Sequence, residues 1–182
     1  REVLNKMRHE FRFFYPLDLR VSGKDLVPNH LTFFLYNHVA LFDEQMWPQG
    51  VRANGHLLLN GQKMSKSTGN FMTMSEACVR FGADATRIAL ADAGDGLEDA
   101  NFVEDTADKA ILRLFTNLEA IRDIYDNPQA YRRDGEWLFA DKVFAAEMEQ
   151  YAAMAIKAYA DMNFREALHA ALFGLHNCRD AY

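Results

Sequence analysis

The sequence predicts an α/β part followed by an all-α part, and three observations carry that prediction. Short alternating or apolar runs punctuated by turn residues fill the chain before residue 100. Long patterns of helical period follow it. Between the two lies an acidic, glycine-bearing loop, Asp92-Ala93-Gly94-Asp95-Gly96-Leu97-Glu98-Asp99.

Each element has its own signal. Leu17, Leu19 and Val21 alternate with Asp18 and Arg20, the period-two pattern of a strand, which Ser22-Gly23-Lys24-Asp25 closes. After Pro28-Asn29, the run Leu31 to Phe42 predicts a buried helix. Trp47-Pro48-Gln49-Gly50 and Ala53-Asn54-Gly55 read as turns, and His56-Leu57-Leu58-Leu59 as a short strand ending in Asn60-Gly61. Thr73-Met74-Ser75-Glu76 has capping-box spacing for a helix that Gly82 ends in a left-handed cap. Asp84 starts another helix through Ala91. Beyond the acidic loop, Val103, Ala107, Ala110, Ile111, Leu114, Leu118 and Ile121 mark an amphipathic helix that breaks at Asp126-Asn127-Pro128. Val143, Phe144, Met148, Tyr151, Ala155 and Tyr159 mark a second. Asn163 and Glu166 predict a capping box for a third, with Leu168, Ala171, Leu172 and Leu175 as its buried stripe.

Composition excludes several classes. With 49% hydrophobic and 13% aromatic residues, the 182-residue chain is globular and long enough for a real core. A formal charge of −6 argues against a polycation that coats nucleic acid indiscriminately. Cys78 and Cys178 match no metal or redox spacing, which predicts reduced thiols in a cytoplasmic setting. The histidines form no paired ligand pattern, so no structural metal is expected. Leu31 to Phe42 is too short to span a membrane, and no membrane partner is expected. The amino terminus lacks an initiator methionine, resembles no signal peptide, and reads like an excised piece.

Lys63-Met64-Ser65-Lys66-Ser67 carries the most chemistry. Two cationic heads stand beside two hydroxyl donors, between Gly61 and Gly69, which allow the backbone to bend. A polar Lys/Ser/Gly stretch between elements is usually a solvated loop. A chance match to all five residues, however, is expected roughly once in ten thousand such chains. No G-x₄-G-K-[ST] frame fits Gly61 to Gly69, so a phosphate grip here rests on side chains more than on a backbone cradle. Upstream, Gly23 lets a ribose approach the backbone and Asp25 accepts from its hydroxyls, at the carboxyl end of a strand where open sheets bind ligands. His30 can face the same crevice. Strand-Gly-Asp alone is more often a turn with a capping aspartate.

These residues resemble the class I aminoacyl-tRNA synthetases, whose second signature is this lysine loop. The blocks Tyr15 to Leu26, Pro28 to Phe34, Arg52 to Gly61, Phe81 to Ala85 and Gly94 to Phe102 are similar to the leucyl branch of archaeal and eukaryotic cytosolic type. The resemblance covers the whole chain and implies the C-terminal part of a Rossmann-type catalytic domain plus the start of an anticodon-binding helix bundle. Residues 1–72 would be the catalytic half with the loop, 73–102 a connective, stem-contacting region, and 103–182 the incomplete bundle.

The family activates leucine with ATP and Mg²⁺, releases pyrophosphate, and transfers leucine to its tRNA. Carried onto this sequence, Lys63 and Lys66 are the catalytic cations that meet the charge on the departing pyrophosphate, with Ser65 and Ser67 adding hydrogen bonds. Met64, with the backbone of Leu58 and Leu59, would lie near adenine, and Gly23, Asp25 and His30 near the rest of the nucleotide. Arg179 is a candidate tRNA contact, although an arginine–aspartate helix pair explains it as simply. The first class I signature, His-x-Gly-His, is missing from the chain, as are the zinc-bearing insert and the editing domain. The chain alone is therefore expected to be inactive. A methionyl or other class I ligase, and a free-standing tRNA-binding module derived from a synthetase, stay open as alternatives.

Overall fold

A computed structural model describes residues 1–182, whose contacts cluster into two compact units. The first comprises Arg1–His56 with Gly96–Asp99, and the second Leu57–Asp95 with Ala100–Tyr182.

The first unit opens with α1 (Glu2–Phe14), an amphipathic helix that the sequence reading did not anticipate. Val3, Leu4, Met7, Phe11 and Phe14 recur at helical spacing along it, yet none is buried. Strand β1 (Arg20–Gly23), helix α2 (Thr32–Leu41) and strand β2 (Val51–Asn54) follow. β1 and β2 pair in parallel, Arg20 opposite Val51 and Gly23 opposite Asn54. A parallel pair needs a crossover, and α2 supplies it, making a β-α-β unit.

Three expectations need correction here. The strand lies later than Leu17 to Val21, because its ladder begins only at Arg20. Ala53 and Asn54 are the end of β2, not a turn; pairing with β1 overrides their local preference. The apolar run from Leu31 is helical but not buried as a whole, since only Leu31 and His38 are enclosed. Its inner edge is an aromatic group. His38 Nδ1 bonds the carbonyl oxygen of Phe34 at 2.8 Å, so that nitrogen donates in the neutral ring, and Nε2 accepts from the Tyr15 hydroxyl at 3.2 Å. Phe11 stacks on Tyr15 at 4.5 Å.

The second unit begins with β3 (Leu57–Leu59) and β4 (Gln62–Lys63), followed by α3 (Met74–Phe81), α4 (Ala83–Ala93) and β5 (Ala100–Phe102). β3 pairs antiparallel with β4 and parallel with β5. Leu59 opposes Gln62, leaving Asn60-Gly61 as a two-residue turn with φ of 50° and 79°. Positive φ at both positions is the Asn-Gly hairpin geometry whose twist matches the strands. The predicted capping box is present: Glu76 N–H donates to Thr73 Oγ1 at 3.2 Å, and Thr73 N–H to Glu76 Oε2 at 2.7 Å. Those bonds to Thr73 hold the Glu76 carboxyl below its usual range. Gly82 ends α3 with φ of 81°, but ψ of 159° makes it an extended glycine hinge, not the left-handed cap expected. Leu59, Ala77, Phe81, Ala85, Ala89, Phe102, Ala107 and Ala110 form the core.

Four further helices complete this unit: α5 (Glu104–Asp126), α6 (Phe139–Ala160), α7 (Phe164–Leu168) and α8 (Leu175–Ala181), the last two joined through a wide π-helical segment, His169–Gly174. The break at Asn127-Pro128 is where the sequence places it. Asn163 makes no side-chain cap bond, so the capping box predicted for the third helix of this part does not form. The buried positions of the last helix are Ala167, Ala170, Gly174, His176 and Cys178, while the four expected there are only half-buried. Packing favours small residues because Tyr151 lies against Gly174: a Cβ there would sit 2.4 Å from the ring.

Asp141 clamps the end of the chain. It pairs with Arg132 and accepts from the hydroxyl of Tyr182 and from Leu138 N–H. The Arg132 bond, then the Tyr182 bond, pull its pKa from 3.8 to about 2. A depressed carboxylate adds stability above its unfolded pKa and loses it as pH falls through the folded one. Thermal melts should therefore show Asp141→Asn less stable than wild type at neutral pH, the gap closing between about pH 4 and pH 2. A gap at pH 2 as large as at neutral pH would refute the clamp.

Candidate functional site

In the first unit, β1 delivers its last residue, Gly23, to a tight turn, Lys24–Leu26. Asp25 folds back over Gly23: a Cβ on that glycine would meet Asp25 Oδ1 at 2.7 Å. The Asp25 carboxylate thus fills the space beside the Gly23 backbone. His30 sits in the π-helical turn Val27–Leu31, and its Nε2 is 3.3 Å from Arg20 Nη2. An arginine donates only, so this nitrogen is the acceptor.

A partner missed in the sequence holds this turn. Lys24 Nζ donates to Asp99 Oδ1 at 2.6 Å and to the carbonyl of Leu97 at 3.3 Å, and Asp99 Oδ1 also accepts from His56 N–H at 3.0 Å. The Lys24 bond, then the His56 bond, lower the Asp99 pKa. Gly55 lies against the same segment, its N–H on the carbonyl of Gly96 at 3.1 Å. The acidic loop is in its last residues a clasp on the Gly23–Asp25 turn. No local spacing announces a pair 75 residues apart.

In the second unit, the lysine loop springs from β4 and is closed by a bridge between Ser65 and Asn70. Ser65 N–H donates to the Asn70 carbonyl at 2.8 Å, and Asn70 Nδ2 to the Lys63 carbonyl at 3.2 Å. Gly69 turns the chain with φ of 75°. Ser65 and Ser67 hydroxyls are 2.9 Å apart, and Thr68 Oγ1 donates to the Ser65 carbonyl at 3.2 Å. Met64 is half-buried and packs against the core, tethering the loop from within. Lys63, Lys66 and Ser67 are exposed, and neither ammonium has a carboxylate partner in the chain. Two such cations on a closed loop leave their charge available to an anion.

The two groups therefore fall in different units, Gly23, Asp25 and His30 in the first and Lys63 to Ser67 in the second. Arg179 forms the expected helix pair: its Nη2 lies 2.8 Å from Asp180 Oδ1, with Nη1 3.4 Å from Asn117 Oδ1. No group of three or more His, Cys, Asp or Glu side chains comes together as a metal cage. No helix is long and apolar enough to cross a membrane.

The first unit thus carries a β-α-β arrangement ending in Gly-x-Asp, and the second a closed Lys-Met-Ser-Lys-Ser loop. The family model for tRNA synthetases class I (M) matches residues 6–120, and the chain belongs to that family. The cytoplasmic leucine–tRNA ligase of Neurospora crassa is 55% identical over 183 residues, covering all of this chain and 16% of that protein. The chain thus spans about a sixth of that relative's length. Among solved structures, the Agrobacterium radiobacter K84 agnB2 LeuRS–tRNA–LeuAMS ternary complex superposes with a TM-score of 0.71 at 18% identity, over 91% of this chain and 23% of that one. Mycobacterium tuberculosis methionyl-tRNA synthetase bound to methionyl-adenylate gives 0.72 at 22% identity, over 93% and 34%. At these identities the two structures speak for the fold alone.

Proposed function

We propose that this chain is the lysine-loop part of a cytoplasmic leucine–tRNA ligase, which joins leucine to ATP as leucyl-adenylate and passes it to tRNA(Leu). What carries the reading is 55% identity to such a ligase along the whole chain, with the loop intact. In the activation step a leucine carboxylate oxygen attacks the α-phosphorus. The bond from that phosphorus to the bridging oxygen breaks, and pyrophosphate departs with the electron pair. Lys63 and Lys66 face the charge gathering on that leaving group, and Ser65 and Ser67 donate to its oxygens. Gly23 and Asp25 hold the ribose hydroxyls, with His30 beside them. Adenine is left to the main chain of Leu58, Leu59 and Met64. Mg²⁺, when bound with ATP, would supply counter-charge for its phosphates.

The same reading divides the chain by role: residues 1–72 for the nucleotide, 73–102 as a connection toward the tRNA stem, and 103–182 as the start of an anticodon-side helical bundle. Arg179, turned toward Asp180 and Asn117, is a weak tRNA contact within it.

Leucine-dependent ATP–pyrophosphate exchange tests the proposal. The full-length protein carrying this chain should exchange with leucine and not with methionine; the reverse result would transfer it to the methionyl branch. The 182-residue chain by itself, which contains the lysine loop but no His-x-Gly-His motif, should show no exchange above background. Robust exchange by the pure chain would overturn the division of the site assumed here.

A further inference from the structure

The lysine loop has two stems, and one carboxylate ties them together. Asn60, at the hairpin turn that leads into β4 and the loop, donates from Nδ2 to Glu104 Oε2 at 3.0 Å. Arg80, in the last turn of α3, the first helix beyond the loop, pairs with the other oxygen, Glu104 Oε1. The hairpin is fixed further by Glu104 N–H on Asn60 Oδ1 at 3.1 Å, by Asn60 N–H on the Phe102 carbonyl at 2.9 Å, and by Gly61 N–H on Asn101 Oδ1 at 2.7 Å. Glu104 is half-buried, whereas Asn60 and Arg80 are exposed.

We propose that Glu104 is a positioning residue for the lysine loop: by joining Asn60 before it to Arg80 after it, the carboxylate sets where Lys63 and Lys66 stand when pyrophosphate leaves. The proposal rests on the function given above. Exposed ion pairs add little to global stability, so this connection is better suited to geometry than to holding the fold. The geometry is demanding, since a displacement of about 1 Å at a reacting centre can cost about a hundredfold in rate. Glutamine at this position keeps an acceptor for Asn60 but presents an amide donor toward the Arg80 guanidinium, so only one stem stays tied.

The test is a double-mutant cycle in the full-length ligase, read by leucine-dependent ATP–pyrophosphate exchange together with melting temperature. Glu104→Gln should lower kcat about tenfold or more, with leucine KM and melting temperature little changed. Arg80→Gln, which cuts only the second stem, should do the same in milder form. In a Lys63→Ala, Lys66→Ala background Glu104→Gln should cost less than about twofold, because both ammonium groups it positions are gone. An equal fold-loss in both backgrounds, or a loss that follows the melting temperature, would overturn the proposal and leave Glu104 as an ordinary structural contact. So would an unchanged kcat in the otherwise native enzyme. Full activity of Lys66→Ala alone would instead refute the role of the loop, and the positioning role with it.

Discussion

Under the proposed function, Lys66→Ala in the full-length protein is expected to lower the kcat of leucine-dependent exchange by about 10²- to 10³-fold, the usual loss when one preorganised charge donor is removed. Leucine KM should change far less. The ammonium is exposed and unpaired within the chain, so removing it breaks no internal ion pair and leaves no orphaned carboxylate. On the proposed role its interaction grows only as charge moves onto the pyrophosphate, and a contact that strengthens in the transition state appears in kcat. Steady-state exchange at varied ATP and leucine, with circular dichroism to confirm the fold, checks this. Equal losses in kcat and leucine affinity would place Lys66 in ground-state binding instead.

The second large effect is on stability. Gly55→Ala would place a Cβ 2.0 Å from the carbonyl oxygen of Glu98, 2.5 Å from its carbon and 2.9 Å from the nitrogen of Asp99. All three are backbone atoms, so no side-chain rotation relieves the overlap. Overpacking of this kind costs about 3 kcal/mol or more when the backbone itself must yield. The segment it would push away carries Asp99, the partner of Lys24. Equilibrium urea unfolding should therefore show a lower midpoint and, under the proposed function, the full-length protein should show a higher KM for ATP. An unchanged midpoint would mean that Gly96–Asp99 can leave Gly55 without loss.

What could be read from the sequence was local. The capping box at Thr73 and Glu76, the break at Asn127-Pro128 and the helical periods after Val103 each depend on residues a few positions apart. What escaped was set by distant partners. Ala53 and Asn54 read as a turn until β1 lies beside them, and the Leu31 to Phe42 run reads as core until its neighbours prove too few to cover it. Asn163 and Glu166 have the right spacing for a cap, but Asn163 makes no such bond. The candidate site divides the same way. The lysine loop and Gly-x-Asp are contiguous and were visible, whereas Asp99 for Lys24, and Glu104 for Asn60 and Arg80, are joined only by the fold.

The bond from Glu104 N–H to Asn60 has a bearing on how the molecule acquires its shape. Helix α5 begins after Val103, whose side chain offers no acceptor, so its first turn is capped from 44 residues upstream. During synthesis the hairpin emerges long before the helix start it must meet. Until that segment arrives, neither the turn at Asn60 nor the beginning of α5 has its polar partner. The two ends of this loop must therefore order together, a non-local closure of the kind that slows folding and makes it cooperative.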